Sequence, residues 1–473
     1  MSLTASRVLG NRFNQDALDC ILNALLQARR GNGVIKPDGS DLLQSLKLDL
    51  LTRDEVMLRR FRMLAAKAAR ETPYYGELFN RLGLDAENLT WEDIPKIPIT
   101  SKETVRDHPF DFICRNAQVD FLTTTTGTTG RPTQIGFSNH EMQVYMKLCA
   151  IFNIMIGDFL PEDISLESSS SRAMLGLLTG IGCMQMCGTT FIHGGQIDPE
   201  LTLQLLTQEY NLPGKKNRVT ISCMYPSYLG EVVECGLRLG YKPGNFGLRR
   251  FDIGGEIGTN SVKKRAEQLF GPVSFYESYG MTETWGSGGE YCSQGHMHYG
   301  SGGFWEFINP ESGNPARYGE PAMVVATVLP PYRETTLIIR FNTQDMVRML
   351  PGPVDCESKD TPVSSPIMGK RSLSVQHDQG WTFPREVMEA LESVEAVPLP
   401  ARFGFWSVPG GVAVEVLVRS ISDEARKAVG TSLEAQNVPV RELILVDSRD
   451  QLRKPYPLRC DLKEASFSTV VRG

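Results

Sequence analysis

The stretch TTTTGTTGRPT, residues 123–133, combines threonine hydroxyls, two glycines and one arginine. Gly127 and Gly130 permit positive φ angles and a close approach of the backbone to a ligand, and Arg131 adds a positive charge. The hydroxyl groups belong to Thr125, Thr126, Thr128 and Thr129. Such a loop suits a polyanion such as a triphosphate. It is not a Walker A loop, because Pro132 stands where that motif needs Ser or Thr, and a threonine-rich turn without a ligand is the alternative.

A second polar segment, FYESYGMTET at residues 275–284, follows a short strand-like run. Its loop contains Tyr279, Gly280, Met281, Thr282 and Glu283. A carboxylate at the end of a strand can hold Mg²⁺ beside phosphates, and an aromatic ring can stack on a purine. A structural tyrosine and a solvated glutamate are the alternative for this segment alone.

Two more segments end strand-like runs with carboxylates. In RFNTQDM, residues 340–346, Asp345 follows an apolar run and can accept two hydrogen bonds from a ribose diol, although short carboxylates after strands also form turns. In FDIGGE, residues 251–256, Gly254 and Gly255 give two flexible positions and Glu256 gives a carboxylate.

The order of these four segments, followed by a linker and a small domain, resembles the adenylate-forming superfamily of acyl-CoA synthetases, nonribosomal adenylation domains and luciferases. The resemblance implies that Thr125 to Gly130 and Arg131 grip the triphosphate of ATP. It further implies that Gly254 to Glu256 and Tyr279 line the adenine, that Glu283 binds Mg²⁺, and that Asp345 holds the ribose.

The chain looks closest to the phenylacetate-CoA ligase branch. The segments TPYY (72–75), WEDIPKIPITSKE (91–103) and TTLIIRFNTQD (335–345) carry this likeness. The family reaction adenylates a carboxylate with release of pyrophosphate and then passes the acyl group to coenzyme A. An amine, a carrier-protein thiol or a partner reductase as acceptor is the nearer alternative, and a non-catalytic nucleotide-binding homologue is the other.

Two segments depart from the family pattern. The junction between domains reads GKRSLS, residues 369–374, so that Lys370 or Arg371 replaces the usual arginine and the aspartate hinge is missing. Near the C-terminus, LRKPYPLRCD at residues 452–461 offers Lys454 and Arg459 as candidates for the catalytic lysine. Neither has the expected GlyLys context, and a lysine simply exposed on a tail is the alternative for Lys454.

Some members of the branch carry a structural zinc held by Cys and His. Cys292, His296, His298 and Cys356 occupy comparable regions here, and their spacing is compatible with tetrahedral N/S ligation. The usual paired cysteines are missing, so buried thiols and loop histidines are the alternative. Cys292, His296 and Cys356 are the candidate ligands.

The acyl pocket of the superfamily lies beside four stretches whose counterparts here include Tyr145, Gly180, Gly182 and Tyr225. The run 176–188 is apolar and rich in glycine and sulfur. Methionine and glycine suit a flat aromatic or heteroaromatic acid, since they pack against a ring face and leave space. Ordinary core packing is the alternative for each of them.

The composition excludes several classes of protein. The 473 residues include 49 Lys and Arg against 55 Asp and Glu, a net charge of −6, and 41% are hydrophobic, which rules out a disordered or collagen-like chain. The acidic balance argues against a nucleic-acid partner. No window approaches ~18 consecutive apolar residues, and the start MSLTASRV lacks the apolar stretch of a secretory signal.

We therefore expect a cytoplasmic protein without a membrane partner. Ten scattered cysteines predict reduced thiols, and the surface composition neither demands nor excludes a homodimer.

Short β-rich runs alternate with helical ones from about residue 121 to 345, which predicts stacked α/β layers. The predicted strands are Arg218–Met224, Arg250–Ile253, Val273–Tyr276, Ala322–Val328, Thr335–Phe341, Val412–Val418 and Glu442–Asp447, and the predicted helices are 54–71, 262–270, 384–392 and 422–435. Residues 351–367 read as a surface segment or linker. We predict a large N-terminal α/β domain, residues 1–368, and a small mobile C-terminal α/β domain, residues 369–473.

Overall fold

The computed structural model describes residues 18, 19, 21, 22, 50–125, 132–156, 158–168, 174–195, 198–300, 302–330, 332–356 and 358–453. The helices are α1 (Leu50–Glu71), α2 (Pro73–Leu82), α3 (Lys102–Asp107), α4 (Asn139–Ile156), α5 (Met174–Cys187), α6 (Pro199–Thr207), α7 (Pro226–Arg238), α8 (Asn260–Phe270), α9 (Pro384–Glu392) and α10 (Asp423–Ala435). Short 3₁₀ turns occupy Ile94–Lys96, Pro109–Phe112, Pro243–Asn245, Arg371–Leu373 and Arg449–Gln451.

The strands form five sheets. Their bounds are β1 (Phe121–Thr124), β2 (Gln134–Phe137), β3 (Ile164–Glu167), β4 (Thr190–His193), β5 (Ile221–Met224), β6 (Arg250–Gly254), β7 (Ser274–Tyr279), β8 (Gly289–Tyr291), β9 (Met297–Tyr299), β10 (Gly303–Ile308), β11 (Pro321–Val328), β12 (Phe341–Arg348), β13 (Val363–Ser364), β14 (Gly369–Lys370), β15 (Val375–His377), β16 (Gly380–Thr382), β17 (Phe403–Val408), β18 (Gly411–Leu417) and β19 (Val440–Val446). The two smallest sheets are the hairpins β1-β2 and β15-β16.

The largest sheet has eight strands in the order β13-β9-β8-β7-β6-β5-β3-β4. Strands β4, β3, β5, β6 and β7 are parallel, and β8, β9 and β13 extend the sheet antiparallel. Helices α6, α7 and α8 cover one face through a core that includes Leu203 and Val232. Helices α4 and α5 cover the other face through Ile151 and Met184. Strands β3 and β5 are buried along their whole length, as parallel strands between two helical layers must be.

The second large sheet has the antiparallel order β10-β11-β12-β14, and three segments that the sequence analysis quoted separately meet beside it. The hydroxyl of Tyr75 lies 3.0 Å from Thr100 Oγ1 and accepts a hydrogen bond of 2.7 Å from the backbone N–H of Ile339. The backbone N–H of Thr100 donates to the carbonyl of Arg340, whose guanidinium pairs with Glu306 at 2.9 Å. Buried hydrogen bonds therefore tie residues 72–75 and 91–103 to the start of β12.

The C-terminal module has a three-stranded sheet in the order β17-β18-β19, with α9 and α10 packed on it. Strands β18 and β19 are parallel, and α10 is the crossover between them. Ion pairs join this module to α7: Arg402 to Glu231 at 3.3 Å and Arg419 to Glu234 at 2.5 Å. Within the described ranges, no helix is both long enough and apolar enough to cross a membrane.

The structure confirms the predicted α/β class and most of the predicted elements to within a few residues. The predicted strand Thr335–Phe341 is wrong, because β12 begins only at Phe341. Arg340 has a φ of 52°, which a strand does not allow, and the N–H of Thr335 bonds to the Glu141 carboxylate. The predicted linker 351–367 contains β13, which pairs with β9.

Candidate active site

A cavity of about 860 Å³ opens at the carboxyl ends of β3, β5, β6 and β7 and extends along the sheet face beneath α4 and α5. Parallel strands bring their carboxyl ends to one edge, which is where open α/β sheets bind ligands. The predicted residues that line this cavity are Thr125, Tyr145, Gly180, Tyr225, Gly254, Gly255, Glu256, Tyr279, Gly280, Met281, Thr282, Glu283, Asp345 and Lys370. Segments that are far apart in the sequence therefore share one space.

Small residues at the end of β6 keep the cavity open. A Cβ on Gly254 would come within 3.1 Å of the carbonyl oxygen of Ser278, and Gly255 has a φ of 73°. Glu256 then accepts a hydrogen bond of 3.1 Å from the backbone N–H of Ser227, at the start of α7. The turn thus exposes its backbone to a ligand while its carboxylate is anchored to a neighbouring helix.

Asp345 is the centre of a three-residue group. Its two oxygens lie 2.8 Å from the Tyr279 hydroxyl and 2.8 Å from Lys370 Nζ, and Lys370 also donates to the carbonyl of Thr343 at 2.9 Å. Asp345 on β12 and Lys370 on β14 are direct cross-strand partners, so the antiparallel register sets this contact. Burial, reinforced by the Asp345 charge, raises the pKa of Tyr279 well above its ordinary value, so Tyr279 is a neutral donor.

Glu283 forms a buried ion pair that the sequence analysis missed. Its carboxylate oxygen Oε1 lies 3.1 Å from Lys102 Nζ, and the Glu283 side chain is 1% exposed. Lys102 is the first residue of α3, which Ser101 caps by accepting a hydrogen bond of 3.1 Å from the N–H of Thr104. The sequence gives no signal for this pair, because nothing local in it connects position 102 with position 283.

The ends of the threonine-rich loop are tied together. Thr125 Oγ1 accepts a hydrogen bond of 3.0 Å from the N–H of Thr133, and the N–H of Thr125 donates to the Thr133 carbonyl at 2.9 Å. The predicted residues Thr126, Gly127, Thr128, Thr129, Gly130 and Arg131 lie outside the described residues, as does Lys454. Thr125 lines the cavity, so the loop starts at its edge.

The deep end of the cavity is aromatic and sulfur-rich. Tyr145 packs on Trp285 with ring centroids 4.8 Å apart, and Gly180 has open space where a side chain would stand. Desolvation raises the pKa of Tyr145 and of Tyr225 above their ordinary value, and it raises the pKa of Cys149 from 9.0 to about 12. These three groups are therefore neutral near pH 7, and the Tyr145 and Trp285 rings give a flat ligand an uncharged surface to pack on.

The prediction that Gly182 lines this pocket is wrong. A Cβ at this position would come within 2.2 Å of the sulfur of Met146, so Gly182 lies in the contact between α5 and α4. Gly180 and Gly182 are two residues apart, and on a helix such positions point in different directions. One glycine therefore faces the cavity and the other faces the neighbouring helix.

A separate cluster brings together Cys292, His298 and Cys356, whose ligand atoms lie within 4.8 Å of one another. Cys356 Sγ is 3.3 Å from His298 Nε2, and His298 Nδ1 is 3.0 Å from Thr361 Oγ1. His298 therefore replaces His296 in the predicted set of ligands. His296 lies in the turn between β8 and β9, where its carbonyl accepts the N–H of Cys292, whereas His298 lies on β9.

A comparison with models of known protein families finds no match. The chain is 26% identical over 315 residues to a phenylacetate-coenzyme A ligase of Thermus thermophilus, in an alignment that covers 63% of this chain and 67% of the relative. It is 25% identical over 366 residues to a phenylacetate-coenzyme A ligase of Pseudomonas putida, covering 75% of this chain and 78% of the relative.

The fold matches a crystal structure of 2-hydroxyisobutyryl-CoA ligase in the postadenylation state in complex with 2-HIB-AMP. The TM-score is 0.70 at 18% identity, over 90% of this chain and 93% of that chain. This likeness shows a large N-terminal domain followed by a small C-terminal one.

The fold, the strand-end cavity and these relatives together indicate a class of enzyme: the chain is similar in sequence and in fold to the adenylate-forming acyl-CoA ligase superfamily. Within that class its sequence relatives are the phenylacetate-coenzyme A ligases named above.

Proposed function

We propose that this enzyme adenylates an aromatic or heteroaromatic carboxylate with ATP and Mg²⁺ and then transfers the acyl group to coenzyme A. The observation that carries the proposal is the convergence of Asp345, Tyr279 and Lys370 with Glu283, Lys102 and Thr125 around one cavity. One end of this cavity offers charged hydrogen-bonding groups, and the other offers aromatic rings. A nucleotide and a ring-bearing acid therefore find complementary walls in the same space.

The nucleotide is proposed to bind at the strand ends. Asp345 accepts hydrogen bonds from the ribose diol, while Gly254 to Glu256 and Tyr279 line the adenine. The triphosphate lies against Thr125 to Gly130 and Arg131, of which Thr125 is at the cavity edge. Gly280, Met281 and Thr282 complete the wall between ribose and phosphates.

Glu283 is the proposed Mg²⁺ ligand. A carboxylate oxygen is the donor that Mg²⁺ prefers, and Glu283 directs its carboxylate to the cavity side, where it meets the Lys102 ammonium. When bound, Mg²⁺ supplies positive charge to the phosphate oxygens. Lys102, Arg131 and Lys454 are the protein's own cations for this task, with Lys102 held in place by its pair with Glu283.

The reaction has two steps. A carboxylate oxygen of the acid attacks the α-phosphorus of ATP, so that an O–P bond forms, the bond to the β-phosphate bridging oxygen breaks, and pyrophosphate leaves. The thiol of coenzyme A, losing its proton to solvent, then attacks the acyl carbon and AMP leaves. The protein contributes positioning and positive charge, since both steps pass through centres on which negative charge accumulates.

We further propose that the C-terminal module acts as a separate domain that begins near residue 369. Lys370 stands at this junction and is bonded to Asp345, so the junction itself lies in the site. Because the usual aspartate hinge is missing, an acceptor other than coenzyme A is the second candidate.

The test is pyrophosphate release with ATP and Mg²⁺ across aryl, arylacetic and heteroaromatic acids, with and without coenzyme A. We expect release that rises sharply with coenzyme A and yields an acyl-CoA. Release independent of coenzyme A indicates another acceptor, and ATP binding without any release indicates a nucleotide-binding protein.

The matched variants are Asp345→Asn and Asp447→Asn, the second at an exposed position after β19. Asp345→Asn removes one anionic acceptor from the ribose, and a hydrogen bond to a charged group is worth roughly 1.5–3 kcal/mol, so KM for ATP rises about 10-fold or more. Asp447→Asn leaves KM unchanged. An unchanged KM in Asp345→Asn contradicts the ribose assignment.

We propose that Cys292, His298 and Cys356 hold a structural zinc. Two sulfurs and one imidazole fit this metal, and the Thr361 hydroxyl orients the histidine ring. Elemental analysis of the purified protein tests this, with about one zinc per chain expected. Cys356→Ser lowers the zinc content and Cys235→Ser, at a buried cysteine in α7, does not. Zinc-free wild-type protein contradicts the assignment.

A further inference from the structure

The far end of the cavity carries charged groups as well as rings. Asp252 and Tyr276 are direct neighbours on β6 and β7, and Glu290 on β8 pairs with Ser278, two residues beyond Tyr276. Because side chains two residues apart share a face, Asp252, Tyr276 and Glu290 lie on the same face of the sheet. All three line the cavity.

One cation serves several carboxylates here. Arg250 Nη1 lies 2.6 Å from Asp158, and Arg250 Nε donates to Asp252. Its guanidinium carbon stands over the ring of Tyr276 at 4.7 Å from the centroid and over the ring of Phe159 at 5.4 Å. The guanidinium is thus occupied at its edge by two carboxylates and at its faces by two rings.

Glu290 completes the group. The Tyr276 hydroxyl donates to Glu290 Oε2 at 3.4 Å, a long hydrogen bond, and Glu290 is an exposed residue on the cavity wall. The protein around the cavity partly shields both carboxyl groups from bulk solvent, which raises the pKa of Glu290 and of Asp252 above their ordinary values. Three carboxyl groups therefore lie around Arg250: Asp158 and Asp252 contact it, and Glu290 feels its charge.

The cations elsewhere in the cavity are committed to other partners. Among the described lining residues, Lys102 pairs with Glu283, Lys370 with Asp345, and Arg385 with Glu277. A surplus of acceptors at the acyl end favours a ligand that brings its own hydrogen-bond donor, since charged groups removed from bulk water cost free energy when they lack a partner.

We infer that the acid adenylated by this enzyme carries an amino group on the side of its aromatic ring opposite to the carboxylate, and that Glu290 and Asp252 bind this group. The inference rests on the proposed function, because it takes the carboxylate end of the acid to lie near Glu283. Tyr145 and Trp285 flank the ring, and Tyr276 holds Glu290 in place.

The strand geometry sets the length of such an acid. At a rise of about 3.3 Å per residue, Asp252 lies roughly 7 Å along β6 from Gly254, the residue at the nucleotide end. A single ring with a one-carbon substituent on each side spans about this length.

The experiment compares two acids of equal size, 4-(aminomethyl)phenylacetate and 4-ethylphenylacetate, which differ in an ammonium group against a methyl group. We expect kcat/KM for pyrophosphate release to be roughly 10- to 100-fold higher for 4-(aminomethyl)phenylacetate, which is the preference that a charge-assisted hydrogen bond gives. Glu290→Gln lowers this ratio at least about 5-fold. Tyr276→Phe, which keeps the ring over Arg250 and removes the hydroxyl, also lowers it.

The control variant is Glu442→Gln, at an exposed carboxylate on β19 of the C-terminal module, which leaves the ratio unchanged. A wild-type ratio of one or less overturns the inference, as does a ratio that Glu290→Gln does not change.

If neither acid supports pyrophosphate release, the proposed adenylation is wrong for these acids, and a binding measurement then tests the inference separately. In calorimetric titrations of each acid into the protein saturated with AMP, we expect 4-(aminomethyl)phenylacetate to bind more tightly than 4-ethylphenylacetate. Glu290→Gln abolishes this difference in affinity. Equal binding of the two acids to the wild-type protein overturns the inference.

Discussion

Glu141 connects three segments that frame the candidate site, and its replacement has a calculable effect. The side chain is 1% exposed. Oε2 accepts from the N–H of Ser138 at 2.7 Å and from the hydroxyl of Thr335 at 2.5 Å, while Oε1 accepts from the N–H of Glu334 at 2.6 Å and from that of Thr335 at 3.0 Å. The carboxylate thus ties the end of β2 to the segment that leads into β12 and Asp345.

Glu141→Ala and Glu141→Gln differ in the number of hydrogen-bond donors that they leave without an acceptor. Glu141→Ala removes the acceptor from three backbone N–H groups, at about 1–3 kcal/mol each, so we expect a loss of about 3–9 kcal/mol in the free energy of unfolding. Glu141→Gln keeps one oxygen. The amide NH₂ of the glutamine fits best in the position of Oε2. There the Thr335 hydroxyl can rotate to accept a hydrogen bond from it, and the backbone N–H of Ser138 is the one group that loses its acceptor. The expected loss is about 2–3 kcal/mol.

Urea unfolding followed by tryptophan fluorescence measures both losses through the midpoint. The control is Glu334→Gln, because the Glu334 side chain lies at the same junction and accepts a hydrogen bond of 2.8 Å from the Ser138 hydroxyl, which an amide oxygen can also accept. A midpoint for Glu141→Ala that equals the wild-type value, or one for Glu141→Gln below that of Glu141→Ala, refutes the reasoning.

Two further perturbations test the site. Lys102→Met removes the partner of Glu283 and one cation beside the proposed phosphate site, so we expect the rate of pyrophosphate release to fall about 10²-fold or more. Lys102→Arg keeps the charge, and its rate falls less. Equal rates in the two variants contradict a role for the charge. Cys149, with its pKa raised to about 12, holds roughly 10³-fold less thiolate at pH 8 than an ordinary thiol. A thiol reagent therefore labels Cys149 correspondingly slowly, and mass spectrometry of the labelled peptide measures the rate. Since the folded state keeps this proton longer than the unfolded state, the stability that Cys149 contributes is present below about pH 9 and declines as the pH rises toward about 12; rapid labelling at pH 8 contradicts the shift.

The parts of the fold that the sequence predicts well are those with local signals. Helix α9 matches its predicted bounds of 384–392. Helix α5 is mostly apolar and carries no periodicity that distinguishes one face, so the sequence predicts a pocket wall there without assigning each residue. Gly182 was misassigned for that reason: its contact with Met146 depends on how α4 and α5 cross.

The parts of the site that the sequence missed depend on pairing between distant segments. Lys102 meets Glu283, and Glu141 meets Thr335, through tertiary packing that no spacing rule encodes. The strand predicted for 335–341 failed for a related reason. Its β-branched run has high strand propensity, but hydrogen bonds from Thr335 to Glu141 and the positive φ of Arg340 hold it in another conformation.

The convergence of the strand-end motifs follows from topology, and the inclusion of Asp345 does not. Residues 254–256 and 279–283 follow parallel neighbours in one sheet, so any ligand at that edge meets both. Asp345 belongs to the second sheet and reaches the same space because β12 pairs with β14, in the register that sets Asp345 opposite Lys370. A one-residue shift in that pairing would turn Lys370 away from Asp345. The two-residue strand at the start of the C-terminal module therefore helps to fix the acceptor of the candidate ribose site, and the departure from the family pattern at Lys370 affects the nucleotide end of the cavity as well as the junction.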